Sequence, residues 1–255
     1  MPLLATRNLT KHFGGLSAVQ GLDLDIDSGQ MVGLIGPNGA GKTTVFNMIS
    51  GFLSPTKGQI LFKGKDITGL PPNRIAEKGL VRTFQLTTLF TDLTVLQNVL
   101  IGCHSQARIG LWQDLFHTAS VLKRERKVES KAMAALEFTG LSEFKSELAG
   151  NLPHGRQRSL SLAIALAVEP QMLLLDEPVT GMNAHETELF MGRLERLKEK
   201  GVTILLIEHN MLAAMSYCDR MVVLNYGQKI AEGAPAEIRQ NEEVIKAYLG
   251  SGEVH

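Results

Sequence analysis

The sequence predicts an α/β fold, and three features predict it. Short continuously apolar runs, "MVGLI" (Met31–Ile35) and "MLLLD" (Met172–Asp176), read as parallel strands buried on both faces. A glycine-rich loop, "GPNGAGKTT" (Gly36–Thr44), joins the first of them to a helix. Between Thr94 and Gly150 proline is absent and helical periodicity takes over, as in a helical insertion.

Taken in order, "LLATRNL" and "LDLDI" alternate apolar with polar residues, the pattern of half-exposed strands in an antiparallel sheet. After "MVGLI", its loop and a helix, "QILFKGKDI" reads as a strand with a glycine-containing turn. "LPP" at Leu70–Pro72 breaks the chain, and Pro72 opens a short helix. "TVLQNVLIG" predicts a helix, and Val128, Ala132, Ala135 and Leu136 share one face of the next. The charged run "KRERK" (Lys123–Lys127) reads as a solvated helix face. A helix from about Gly155 precedes "MLLLD", another covers about Ala184–Lys200, and "VTILLI" is a further buried strand. "MVVLNYGQKIAEG" reads as a hairpin turning at Tyr226–Gln228, and "EEVIKAYLG" as a closing helix.

Composition bounds the function. The 255 residues suffice for one large domain or two small ones. Lys+Arg and Asp+Glu are both 26, so no net field recruits nucleic acid or an anionic membrane. Cys103 and Cys218 lack metal-ligand spacing and fit a reduced, cytosolic compartment. The N-terminal "MPLLATRNLTKHF" lacks the apolar core of a signal peptide, and no stretch reaches the roughly 18 apolar residues that span a bilayer. A membrane role must therefore come through a partner.

"GPNGAGKTT" matches the G-x-x-x-x-G-K-[ST] phosphate loop in its expected setting of strand before and helix after. Its glycines let successive backbone amides converge on a phosphate, and the helix N-terminus adds partial positive charge. Lys42 would reach the β- and γ-phosphates, and Thr43 would offer its hydroxyl to Mg²⁺. An apolar strand ending in Asp-Glu means little alone. Beside this loop, Asp176 reads as a Mg²⁺ ligand and Glu177 as the general base for an attacking water, which points to nucleoside triphosphate hydrolysis. His209 follows Asp176 by one helix and one strand, the topology that brings it to a γ-phosphate; in other company it would be an ordinary loop histidine.

The ordered set of Lys42 loop, Gln85 in "RTFQ", "LPHGRQR" (Leu152–Arg158), "MLLLDEP", "GMN" (Gly181–Asn183) and His209 resembles the ATP-binding subunit of an ABC transporter along nearly the whole chain. The resemblance implies a P-loop NTPase of ABC type. Its single nucleotide-binding domain, residues 1–255, would have a RecA-like core, an antiparallel β side-sheet and an α-helical subdomain inserted at about residues 86–165. ATP and Mg²⁺ are the implied cofactors, with Gly36, Pro37, Asn38, Gly39, Ala40, Gly41, Lys42, Thr43 and Thr44 around the phosphates. Phe13 falls at the adenine-stacking position, with ordinary core packing as its alternative. Gln85 matches the glutamine that senses Mg²⁺, water and the membrane partner, and His209 the switch histidine. Gly181, Met182 and Asn183 match the loop that speaks across a dimer; Asn183 stands where many members carry Asp.

"LPHGRQR" falls where the family carries Leu-Ser-Gly-Gly-Gln, the signature that acts on ATP held by the opposite subunit. Leu152 and Gly155 agree; Pro153 replaces the serine, His154 a glycine, and Arg156 the glutamine. Such a variant affects the partner's site, which favours a heterodimer of two ATPases over a homodimer. The finer resemblance is to the larger ATPase subunit of branched-chain amino-acid importers, carried by "KHFGGLSAVQGLDLDI", "GPNGAGKTTVFNMISGFLSPTKGQILFKGKDITGLPP", "IAEKGLVRTFQ" and "VIKAYLG". It implies integral permease subunits, an extracytoplasmic binding protein met only indirectly, and a peripheral place on the cytoplasmic face of the inner or plasma membrane. Leu86, Leu89 and Phe90 would line the permease groove, with core packing as the alternative for the last two. Importers of urea, amides or aromatic acids share this subunit pattern, and lipid or lipopolysaccharide exporter ATPases are built alike. A soluble ABC ATPase of repair or translation would need an insertion or a tandem copy that this chain lacks.

Overall fold

The computed structural model of the chain describes residues 1–83, 89–106, 119–208 and 211–249. They fall into two compact units: Met1–Val81 with Gln171–Pro178 and Leu194–His255, and Arg82–Pro170 with Val179–Arg193. The second unit thus begins near residue 82, ends at Pro170 and also takes in Val179–Arg193; the resemblance implies a helical subdomain at about 86–165.

The first unit holds two sheets. Strands β1 (Leu4–Phe13), β2 (Leu16–Ile26), β4 (Lys57–Phe62) and β5 (Lys65–Asp66) form an antiparallel sheet in the order β2-β1-β4-β5. Their alternation buries one face: in β2, Leu22, Leu24 and Ile26 are buried while Asp23 and Asp25 face water. The second sheet runs β10-β9-β3-β8-β7-β6, with β3 (Met31–Ile35), β6 (Leu80–Arg82), β7 (Met172–Asp176), β8 (Thr203–Ile207), β9 (Arg220–Asn225) and β10 (Gln228–Gly233). Strands β3, β7 and β8 are buried at every residue, and the β7–β8, β8–β3 and β3–β9 pairings are all parallel. Helix α1 (Lys42–Ile49) sinks Val45, Phe46, Met48 and Ile49 into a core shared with residues of both sheets.

Helix α2 (Pro72–Glu77) opens with Pro72 as its first residue. Near the C-terminus lie α7 (Met211–Tyr217), α8 (Pro235–Gln240) and α9 (Glu242–Leu249). The β9–β10 hairpin turns at Tyr226–Gly227, both at positive φ (44° and 78°); Gln228, placed in the turn by the sequence reading, already pairs with Asn225 as the first residue of β10. A two-residue turn with both φ positive matches the twist of the strands it joins, so pairing resumes at once.

The second unit packs α3 (Val95–Gln106), α4 (Ala119–Thr139) and α5 (His154–Leu166) around Val95, Val99, Ala132, Leu136, Leu152, Leu160 and Ala163. Ala132, Ala135 and Leu136 are buried as their spacing predicts, with Val128 half-buried, and Arg126 and Lys127 of the charged run are exposed. Asn98, almost fully buried, exchanges hydrogen bonds with the Phe90 backbone and donates to the carbonyls of Leu93 and Thr94, tying the chain before α3 to the helix. Helix α6 (Ala184–Glu199) ends one residue before the sequence reading placed it.

Candidate nucleotide site

The loop from Gly36 to Gly41 bends so tightly between β3 and α1 that side chains are excluded from both of its ends. A Cβ on Gly36 would lie 2.1 Å from the Leu224 carbonyl oxygen, and one on Gly41 2.5 Å from that of Ala18. Both glycines also hold positive φ, 149° and 100°. The Ala40 N–H donates to Pro37 O at 3.1 Å and the Gly227 N–H to Ala40 O at 3.0 Å, so the loop is bonded to itself and to the β9–β10 turn.

At the far end the chain enters α1 with Gly41 as N-cap, which supplies no side-chain hydrogen bond, and no acidic residue lies in the first turn. The partial positive charge of that turn suits an anion. Lys42 is 5% exposed, and its Nζ donates to Gly36 O (2.6 Å) and Pro37 O (3.0 Å), which holds the ammonium against the loop.

This loop forms one wall of a cavity of about 640 Å³ within the first unit. Asn38, Gly39, Ala40, Gly41, Lys42, Thr43 and Thr44 line it together with Phe13 and Glu177. Phe13 is 48% exposed, so it is not a core residue; Lys11 donates to Ser54 O and sets its Nζ 5.2 Å from the Phe13 ring centre. Gly36 and Pro37 are buried behind the loop, with Pro37 lining a smaller neighbouring cavity of about 180 Å³.

Asp176 ends β7 opposite Ile207 and is buried at 7% exposure. The Glu177 N–H donates to Ile207 O at 2.9 Å while φ turns to 47°, which carries the chain off the sheet and the half-buried glutamate to the cavity wall. A non-glycine residue in that conformation is strained, a recurrent property of functional positions. Among the described residues no three His, Cys, Asp or Glu side chains gather at one point. Thr43 and Asp176 are hard oxygen donors of the kind Mg²⁺ takes, but they need phosphate oxygens and water to complete six ligands. The donor set therefore fits a cation that arrives with a nucleotide. Gln85, Leu86 and His209 lie outside the described residues.

The ABC transporter family profile matches residues 19–180, spanning the loop and the β7 carboxylates. This chain belongs to the ABC transporter family of ATP-binding proteins. A second profile, that of the branched-chain amino acid ATP-binding cassette transporters, matches residues 228–254. The chain is 45% identical over 250 residues to the high-affinity branched-chain amino acid transport ATP-binding protein BraF of Pseudomonas aeruginosa, covering 98% of each. It is 43% identical, at the same coverage, to LivG of Escherichia coli, which bears the same description. A solved ATP-binding cassette of an ABC transporter in its ADP conformation superposes with a TM-score of 0.87 at 34% identity, covering 98% of this chain and 99% of that one.

In this ABC ATPase the segment at the signature position starts a helix. Pro153 is the N-cap of α5 (φ −55°, ψ 152°) and lies just outside the first turn, and the helix begins at His154, one residue before the predicted Gly155. The Arg156 and Gln157 N–H groups donate to Pro153 O, and Gln157 Nε2 returns to Leu152 O at 2.9 Å. Leu152 is buried in the helical core. The Arg156 guanidinium lies 3.9 Å from the centre of the Phe144 ring. Asn183 caps α6 reciprocally with Glu186: its Oδ1 accepts the Glu186 N–H at 2.9 Å, and its own N–H donates to Glu186 Oε2 at 3.0 Å. Gly181 (φ 82°) lies against the His154 ring, and Met182 N–H donates to Val179 O. Leu89 packs on the helical core, while Phe90 is 53% exposed.

Sequence reasoning missed Leu16, Ser17, Ala18, Gln20 and Tyr226, which complete the cavity wall. No local motif marks them, because strand pairing alone brings them to the loop. Glu186 had a legible signal: "NAHE" (Asn183–Glu186) places a carboxylate three residues after an N-cap residue.

Proposed function

We propose that this chain is the ATP-hydrolysing subunit of an importer for branched-chain amino acids. The observation that carries the cargo assignment is the match of residues 228–254 to the branched-chain family's own C-terminal element, on a chain similar to BraF and LivG from end to end. The catalytic assignment is supported by the cavity, which brings Phe13, the loop amides, Lys42, Thr43 and Glu177 to one wall system.

In this reading the amides at the start of α1 and the Lys42 ammonium bind the phosphate chain, and Phe13 offers a flat apolar face to the base. Thr43 and Asp176 would hold Mg²⁺, which when bound draws charge from the phosphate oxygens. Glu177, held at the cavity wall by its backbone bond to Ile207, orients a water and accepts its proton. Gln85 is assigned to sensing Mg²⁺, the attacking water and the permease, and His209 to contacting the γ-phosphate. Leu152, Pro153, His154, Gly155 and Arg156 face the nucleotide of a second ATPase subunit, with Gly181, Met182 and Asn183 beside the same dimer contact; a heterodimer suits the variant signature. No helix among the described residues is long and apolar enough to cross a membrane. Attachment to the cytoplasmic face therefore runs through permease subunits, near Phe90.

The test is isolation of the complex around a tagged chain, followed by reconstitution in vesicles with the extracytoplasmic binding protein. Integral permeases should co-purify with a second ATPase, and ATP should drive leucine, isoleucine or valine uptake. Recovery without integral partners, or uptake of another cargo only, would overturn the assignment.

A further inference from the structure

The site as described leaves one exposed aromatic side chain at the cavity without a role. We propose that Tyr226 is a nucleotide-binding residue that contacts the nucleoside half of the ligand from the β9–β10 turn. The proposal rests on the nucleotide reading of the cavity.

Tyr226 is 83% exposed and lines the large cavity together with Phe13. It also lines the smaller cavity with Pro37, Asn38, Ala40 and Lys246, and so borders both, as Asn38 and Ala40 do. Its position is fixed by its neighbour: Gly227 N–H donates to Ala40 O at 3.0 Å, and Gly227 O accepts the Gln20 N–H at 2.8 Å. The turn is thereby anchored to the phosphate loop on one side and to β2 on the other.

Turn chemistry does not account for a tyrosine here. A two-residue turn with both φ positive favours Asn, Asp or Gly at its first position, and Tyr226 holds φ 44° there. Core packing does not account for it either, because the ring is in solvent. What the residue offers is a flat π-face and a hydroxyl that both donates and accepts, the chemistry that recognises a base or a ribose. It offers no positive charge to a phosphate, and the phosphate end is already supplied by the loop amides and Lys42.

The test is calorimetric titration of the full chain with MgATP and, separately, with magnesium tripolyphosphate, which carries the phosphates and no nucleoside. Tyr226→Asn should weaken ATP binding about tenfold, the scale of one lost base–aromatic contact. It should leave tripolyphosphate affinity unchanged and the melting temperature equal or higher, because Asn suits the turn. That pattern separates a ligand contact from a structural role, since a structural residue would lose stability with affinity. In Tyr226→Phe, retained ATP affinity would assign the contact to the ring, and lost affinity would assign it to the hydroxyl. Wild-type ATP affinity in Tyr226→Asn, or equal weakening of both ligands, would overturn the proposal. Failure of the unaltered chain to bind either ligand would instead sink the nucleotide reading of the cavity.

Discussion

Replacing Gly155 by alanine tests whether one carboxylate, that of Glu186, ties the start of α5 to the start of α6. Gly155 lies inside α5, where alanine is favoured over glycine by up to about 1 kcal/mol. Against this, a Cβ would sit 2.8 Å from Glu186 Oε1, closer than real Cβ contacts come, and 3.1 Å from its carboxyl carbon, which is tight. The carboxylate cannot swing away without loss, because its Oε2 accepts the Asn183 N–H in the α6 cap. Losing that one hydrogen bond costs about 0.5–1.5 kcal/mol. The net effect of Gly155→Ala should therefore fall between about 0.5 kcal/mol stabilising and about 1.5 kcal/mol destabilising. In a Glu186→Ala background the obstacle and the returning Glu186 bond are already gone, while Asn183 Oδ1 still accepts the backbone N–H of residue 186, so the same substitution should stabilise by up to about 1 kcal/mol. Urea unfolding of the unaltered chain, both single variants and the double variant, followed by circular dichroism, closes the cycle. A Gly155→Ala effect that is identical in the two backgrounds would refute the assignment.

Three further outcomes are expected. Glu177→Gln should lower turnover of the purified complex about a hundredfold or more while MgATP affinity persists, measured by phosphate release and by calorimetry; retained turnover would remove Glu177 as the base. Pro153→Ser combined with His154→Gly should raise hydrolysis at the facing subunit's site, read in a complex whose other site is inactivated, and an unchanged or lower rate would show the variant segment to be already optimal. Burial, aided by the nearby Asp219 and Glu208 charges and only partly offset by Lys198, pushes the Cys218 thiol up to about 12, and burial also raises Cys103. Since the thiolate is the reacting form, a raised value means less reaction at a given pH. Iodoacetamide at pH near 8 should modify half-buried Cys103 slowly and Cys218 only after unfolding, as mapped by peptide mass; labelling of Cys218 in the native chain would contradict its burial.

The phosphate loop was legible because its groups are contiguous: Gly36, Gly41 and Lys42 act within one bend, the two glycines for a backbone reason that no other residue type meets and Lys42 for its ammonium. Asp176 and Glu177 were legible because an all-apolar strand must be interior, so charges at its end must lie at an edge of the sheet. The rest of the cavity wall was not, since Ser17 and Gln20 reach the loop only through β2 and its bond to the Gly227 turn. Short elements were lost for a different reason. Three residues in β6, Leu80–Arg82, show no period, and α7 is a single short stretch. Helix α8 did carry a signal in "APAE": Pro235 is its first residue, and Glu237 accepts the Ala234 N–H at 2.9 Å.

The segment "LPHGRQR" looks degraded when letters are compared and intact when its bonds are followed. A serine at position 153 would bring a hydroxyl to the helix start; Pro153 brings only a fixed φ, and α5 indeed lacks any side-chain cap. Yet the helix starts in register, because Pro153 O takes the Arg156 and Gln157 amides and Gln157 bonds back to Leu152 O. Arg156, in the place of a glutamine, rests its charge on Phe144, and His154 lies against Gly181. Each substituted residue is thus held by its own unit. Under the proposed function, the serine hydroxyl that Pro153 lacks would act on the phosphate of another subunit. At home the helix start keeps its backbone bonds and forgoes only a side-chain cap, while the proposed chemical role concerns another subunit's ATP, which is why stability and turnover should respond differently to restoring Ser and Gly.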